Sequence, residues 1–375
     1  MRLSLKYPDV HLKPRSTLIF FDEIQNCPGA MVSLKSFTID GRFDVIASGS
    51  LMGVNYKEVS SYPVGHVNIF RMRSMDFEEF LWAKGVKDTE IGYVRSCIRN
   101  REPMDEFVLD VINGYHKEYL PVGGMPEAVA AFISTKNFHD VRTVHSEINE
   151  MCLSDVAKYA PAAEKAKVAA CFRSIPAQLA NDNKRFRYVN VVEGTNANSK
   201  TFGSSLERLR EAGLVEYCHN LQEPTMPLAA NIRPDAFKLC FHDTGLPTSM
   251  RGSSVGAAIL DDDLMVNKGG IMENAVGEAL AKNGVALAYF ERKGRLEVDF
   301  IMEVDGAVTA LEVKSGNNRQ SKSLRSVMSD RYGVKRGIKL ERSNICTDDD
   351  GVEHYPLFAA SFVECLGKDT DKNMG

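Results

Sequence analysis

Eight cysteines are scattered along 375 residues without one C-x-x-C pair, which removes zinc ribbons and thioredoxin-like redox motifs from consideration. Reduced, mostly buried thiols in a cytoplasmic protein are the expectation. No apolar run approaches the roughly 20 residues that cross a bilayer, and no secretory leader is recognisable, so no membrane partner is expected. Lysine and arginine number 46 against 50 aspartates and glutamates, a net charge of −4. That balance excludes indiscriminate attraction to nucleic acid and confines any such contact to local patches. Histidines number eight, none at a defensible metal-ligand spacing, and there are no repeats or low-complexity segments. A G-x-x-x-x-G-K-[ST] phosphate loop is missing too, since the glycines from Gly252 to Gly256 come without Lys-Ser or Lys-Thr.

What is present begins with Leu18-Ile19-Phe20-Phe21-Asp22-Glu23-Ile24-Gln25, an apolar run ending in two acids, the form of a Walker B strand. A buried strand of that kind places Asp22 to hold Mg²⁺ and Glu23 to orient an attacking water. A strand that simply ends in a helix cap would look the same. Pro28 to Phe37 follows as a short helix with proline near its start. Phe43 to Ser50 reads as a second buried strand whose small polar end, Ser48 and Ser50, suits a γ-phosphate sensor. Val67 to Phe70 reads as a third strand, and Met75 to Leu81 opens a helix with acids in its first turn.

These segments, with Ala47-Ser48-Gly49-Ser50-Leu51, Tyr62-Pro63-Val64-Gly65-His66-Val67, Asp76-Phe77-Glu78-Glu79-Phe80-Leu81, Leu120 to Val129, Phe237-Lys238-Leu239, Asp243-Thr244-Gly245-Leu246 and Glu273 to Gly316, resemble prokaryotic AAA-type ATPases whose carboxyl half is a domain of unknown function with a nuclease-like end. The resemblance implies an ATPase core cut short at its amino terminus, with only Walker B and the sensor retained. ATP then enters as a cofactor only if the missing phosphate loop is supplied. Two further departures are His66, where relatives carry Lys or Arg, and Ser74, where they tend to have Pro.

Nearer the other end, Glu297 to Val304 and Ala307 to Lys314 flank Asp305-Gly306, a strong two-residue hairpin signal. Closing the turn there sets Asp299 opposite Glu312 and Glu297 opposite Lys314, all on one face. Facing carboxylates repel unless a cation lies between them. Asp followed by Glu-x-Lys on the next strand is similar to the PD-(D/E)xK nucleases, which implies Mg²⁺ or Mn²⁺ on Asp299 and Glu312, with Lys314 positioning or deprotonating water. On the helix Gly270 to Asn283, Glu273 flanks the apolar stripe and is the expected third acid, whereas Glu278 points away. The alternative is an amphipathic hairpin with a solvated acidic face and Lys314 paired to Glu297.

Between these ends, Lys165 to Ala180, Lys200 to Ala212 and the strand from Gly213 read as a winged helix, with Lys200 and Arg208 on the exposed side of its second helix. Arg319, Lys322 and Arg325 recur at three-residue steps beside Lys314, a candidate phosphate-binding face. The expected organisation is α/β and multidomain: a partial P-loop NTPase sheet (1–86), a helical connector (87–160), a winged-helix region (161–260), a restriction-endonuclease-like domain (261–367) and a disordered tail (368–375). DNA, a second copy or another protein are the expected partners.

Overall fold

The computed structural model describes residues 11–49, 65–181, 184–192, 197–252, 255–260, 268–292, 296–315, 321–329 and 331–367. Two compact units emerge, one of Met1–Met72 with Glu211–Gly213 and one of Arg73–Arg210 with Leu214–Gly375. Among the described residues no helix is long and apolar enough to cross a membrane.

The smaller unit is built on β1 (Leu18–Phe21), α1 (Pro28–Asp40) and β2 (Asp44–Ala47). The strands run parallel, from Leu18 opposite Asp44 to Phe21 opposite Ala47. Pro28 sits in the first turn of α1, where its missing N–H is not needed, and Gly41 ends the helix at φ 61°, with its amide bonded to the Phe37 carbonyl. Phe21 meets Phe37 at 5.8 Å, so α1 covers one face of the pair. The opposite face carries Leu18, Phe20 and Ile46, each more than half exposed. The strand expected at Val67 to Phe70 does not form: the segment is irregular, and Ile69 and Phe70 face solvent. Apolar composition alone does not make a strand without a partner ladder. Ser50 and Tyr62 to Val64 lie outside the described residues.

The larger unit starts with α2 (Phe77–Ala83), where Asp76 and Glu79 form a reciprocal capping box. It continues through α3 (Asp88–Asn100), α4 (Glu106–Val122), α5 (Pro126–Thr135), α6 (Phe138–Tyr159), α7 (Ala162–Leu179) and α8 (Ser199–Glu211). Between α4 and α5 the chain turns at Gly123 and Gly124, and a Cβ on Gly124 would stand 1.8 Å from the Met75 carbonyl oxygen. Only glycine lets these backbones approach so closely.

After α8 come β3 (Val215–Leu221) and β4 (Ile232–Phe241), an antiparallel pair, then α9 (Gly245–Met250), α10 (Val255–Leu260) and α11 (Lys268–Lys282). Two helices and a hairpin thus stand where they were expected. β5 (Ala288–Arg292) and β6 (Leu296–Val298) complete a sheet of order β4-β3-β5-β6. β7 (Phe300–Val304), β8 (Ala307–Val313), α12 (Lys322–Met328), β9 (Arg336–Glu341), β10 (Cys346–Thr347) and β11 (Glu353–Pro356) follow, the strands forming a sheet of order β10-β11-β9-β8-β7.

Asp305 and Gly306 both take positive φ, 52° and 71°, as a tight hairpin turn requires. The register runs as read from the sequence, from Val304 opposite Ala307 to Phe300 opposite Leu311, and stops there. Upstream of Asp299 the chain leaves for the other sheet, where Val298 faces Phe290. Glu297 is therefore not opposite Lys314, a correction that follows from one residue switching sheets.

The core of the larger unit gathers Phe77, Phe80, Tyr119 and Phe358 with the apolar side of α11. His116 is buried among them, edge-on to Phe77 at 5.1 Å and near Phe358. Burial, with Arg342 adding to it, pushes its pKa down to about 4. A histidine held neutral in the fold and free to protonate when unfolded stabilises fully above the ordinary 6.5, and loses that contribution as pH falls towards 4. The loss over that window is expected to reach roughly 3 kcal/mol, at about 1.4 kcal/mol per pKa unit. His116→Phe should flatten urea-unfolding stability between those pH values, and an unchanged slope would show that His116 is not its source.

Candidate functional site

Two groups of side chains carry the expected chemistry, one in each unit. In the smaller unit Asp22 and Glu23 follow β1 directly and Ser48 follows β2, so parallel pairing brings together residues 26 positions apart. The Ser48 hydroxyl donates to Asp22 Oδ1 at 2.6 Å and accepts from the Glu23 amide at 3.2 Å. The Ile24 amide donates to the Ser48 carbonyl at 2.9 Å, and the Ser48 amide to that of Phe21 at 2.8 Å. Glu23 adopts left-handed backbone, φ 48°, which turns its carboxylate away from the strand, where it accepts from the Gln25 amide group. Asp22 and Glu23 are exposed.

The second group lies in the larger unit, with Lys238, Glu273 and Glu312 buried and Lys184, Glu297, Asp299 and Lys314 half-buried. Glu273, on α11, is 5% exposed, with Oε1 accepting from Lys238 at 2.9 Å and Oε2 held by Lys184. Lys238, on β4, is 3% exposed, reaches Glu297 Oε1 at 2.8 Å and lies 4.7 Å from the Tyr289 ring centroid. Asp299, at the switch between sheets, accepts from the Val313 amide at 2.8 Å. Glu312 pairs through Oε1 with Lys314 at 2.6 Å, while its buried Oε2 has no hydrogen-bond partner.

Charge explains the titration behaviour. Burial alone would raise the Glu273 carboxyl, but Lys238 and Lys184 hold it down to about 2. Burial and the neighbouring Glu273 push Asp299 up to about 6, against the pull of both lysines. Burial works against the Lys238 ammonium, yet Glu273, Asp299 and Glu297 keep it well above the ordinary lysine value. Two ammoniums thus face three carboxylates, and Asp299 keeps its proton more readily than Glu273.

Whether Glu273, Asp299 and Glu312 fit a divalent cation turns on free oxygens. Both Glu273 oxygens are engaged by lysines, Asp299 has given an oxygen to the Val313 amide, and Glu312 offers one unpartnered oxygen beside an ammonium. Among the described residues no group of three or more His, Cys, Asp or Glu could hold a metal ion. The donor set as arranged does not fit Mg²⁺ or Mn²⁺.

Sequence reading missed Lys184 and Lys238. Lys238 lies within an apolar strand, Phe237-Lys238-Leu239, and a lone lysine in such a run is itself a sign of a buried acid nearby. Glu278 was expected to point away, but it is 2% exposed and accepts from Tyr119 at 2.9 Å, from the Thr244 amide at 2.6 Å and from Lys282 at 2.5 Å. α11 is enclosed on more sides than one stripe accounts for.

The expected nucleic-acid residues are dispersed. Lys200 and Lys322 are exposed. Arg208 bonds Glu164 at 3.0 Å, which turns it towards α7 instead of outward, and Arg325 pairs with Asp350 at 2.7 Å. Arg319 lies outside the described residues.

Comparison with known families divides the chain into three matched segments. Residues 3–81 match an AAA domain, residues 114–255 a domain of unknown function (DUF8612) and residues 268–357 another (DUF4143). One segment is thus similar to an AAA domain and two are similar to domains of undefined role. No curated protein matches it. A solved structure, protein VC1899 from Vibrio cholerae, aligns over 96% of this chain and 94% of its own at 10% identity, with a TM-score of 0.22, too low to support an argument about fold.

Asp299→Asn keeps an acceptor for the Val313 amide and removes the charge that Glu273 opposes. The native carboxyl titrates above its unfolded value, so its ionisation weakens the fold as pH rises from 3.8 to about 6 and fully above that. The variant should be more stable than the parent above that window and equal to it near the lower limit, as measured by urea midpoints. A variant less stable at every pH would show that the carboxylate is needed ionised.

Proposed function

We propose that this chain is the hydrolytic and effector portion of an AAA-type ATPase-like protein. In this reading Asp22, Glu23 and Ser48 form one side of a nucleotide site, and the phosphate loop is supplied from outside these residues. The observation that carries it is the hydrogen bond from Ser48 to Asp22 across the ends of two parallel strands, which joins the metal-holding acid to the sensor position. Asp22 would hold a nucleotide-bound Mg²⁺ and Glu23 would align water, the roles that acids at a strand end serve in phosphoryl transfer. Among the described residues nothing covers the apolar face of β1 and β2 that carries Leu18, Phe20 and Ile46, which supports completion by a further segment, because parallel sheets are normally covered on both faces.

The larger unit we read as nuclease-like in arrangement and non-cleaving. Its carboxylates are neutralised by lysines, and exposed Lys200 and Lys322 offer weak, salt-sensitive contact to a nucleic-acid backbone.

ATP hydrolysis by the chain expressed with any in-frame sequence upstream of Met1 tests the first part. Turnover should appear with a restored phosphate loop and fall by at least about a hundredfold in Glu23→Gln, as loss of a water-aligning acid implies. Turnover indifferent to Glu23→Gln and Asp22→Asn would overturn the reading. Incubating the purified chain with duplex, single-stranded and branched DNA and Mn²⁺ tests the second. No cleavage is expected, whereas cleavage lost in Glu312→Ala and Lys314→Ala would establish a nuclease instead.

A further inference from the structure

A buried carboxylate needs a counter-charge, and in the larger unit, where Glu273 is buried while the Glu297 side chain is 41% exposed, the structure assigns that role to a side chain. We infer that the Lys238 ammonium is the resident cation of the Glu273–Glu297–Asp299 cluster, seated where a divalent metal would otherwise be required, with Lys184 as its outer companion. This deepens the non-cleaving reading of the site and does not depend on the nucleotide reading.

The placement of Lys238 is that of a built site, not a surface lysine folded inward. It projects from β4, in the stretch from Phe237 to Phe241 that pairs residue by residue with β3, and its side chain is 3% exposed. An ammonium has three N–H donors and no acceptor. Lys238 directs them at Glu273 Oε1 at 2.9 Å, at Glu297 Oε1 at 2.8 Å and towards the Tyr289 ring face, 4.7 Å from its centroid. Those groups come from α11, β6 and β5, so one cation joins a helix to two strands of the sheet.

Lys184 differs in exposure and origin. It belongs to the irregular segment after α7 and holds the other oxygen of Glu273, with 19% of its side chain exposed. A metal ion approaching Glu273 would have to displace Lys184 first and then compete with a buried ammonium that has nowhere to go. A lysine in this seat also removes the requirement for deprotonated, open oxygen ligands that a divalent ion imposes.

Mn²⁺ binding followed by electron paramagnetic resonance on the full chain tests the assignment, beside thermal melting with and without EDTA. The parent should bind no Mn²⁺ that Glu273→Gln removes, and its melting temperature should not move with EDTA. Asp22→Asn distinguishes any ion held by the amino-terminal acids. Lys184→Ala should open one oxygen and create a saturable Mn²⁺ site that the second substitution Glu273→Gln abolishes. Lys238→Met should lower the melting temperature by several degrees, with partial recovery in Mn²⁺ but not in NaCl of equal ionic strength. Saturable Mn²⁺ binding by the parent, lost in Glu273→Gln, would overturn the inference even if no DNA is cleaved. So would a Lys238→Met protein as stable as the parent. Cleavage of DNA without any Mn²⁺ bound at Glu273 would sink the non-cleaving reading and leave the inference standing.

Discussion

The larger unit depends on a buried network centred on Glu278. Its carboxylate accepts from Tyr119 on α4, from the Thr244 amide just ahead of α9 and from Lys282 one turn along α11. Lys282 and Tyr119 both continue to the Met75 carbonyl, at 2.8 Å and 3.0 Å. Segments more than 200 residues apart in sequence are thereby fixed to one helix. Such a network is worth having only when every member is satisfied, since an isolated carboxylate in this place would strongly oppose folding. Asp243 extends the same logic, with Oδ2 taking the Gly124 amide at 2.7 Å and Oδ1 that of Gly245 at 3.0 Å. The matched segments 114–255 and 268–357 meet in this network, within the same larger unit.

Much of the local structure could be read from residue order. Asp305-Gly306 fixed the hairpin turn and its register because two consecutive left-handed residues leave little choice of loop. Pro28, the acids at Asp76 and Glu79, and the Asp243-Thr244-Gly245 turn all acted through local geometry, within a few residues of themselves. The sheet switch at Asp299 was not legible, because alternation through Glu297, Val298, Asp299 and Phe300 continues unbroken while the partner strand changes. Nor was the charge balance of the buried site. The acids stood out as a pattern, but the lysines answering them lie 89 and 35 residues from Glu273, where no spacing rule reaches. Val67 to Phe70 failed for a related reason, since strand formation needs a neighbour that composition does not announce.

The two candidate sites differ in physical character. Asp22 and Glu23 are exposed and Ser48 is half-buried, and a single hydrogen bond joins Ser48 to Asp22. Glu273 and Lys238 are enclosed and paired with each other, and Asp299 beside them is half-buried. In the second group burial and the neighbouring lysines drive the protonation equilibria of Glu273 and Asp299 apart.

The passage of the chain from β6 to β7 leaves a single residue, Asp299, between strands of two different sheets. There is no slack at that point. Adding or removing one residue would reverse which faces of β7 and β8 look inward, exchanging buried side chains for solvated ones along the whole hairpin. The length of this stretch, more than the charge of its central side chain, is therefore what both sheets hang on.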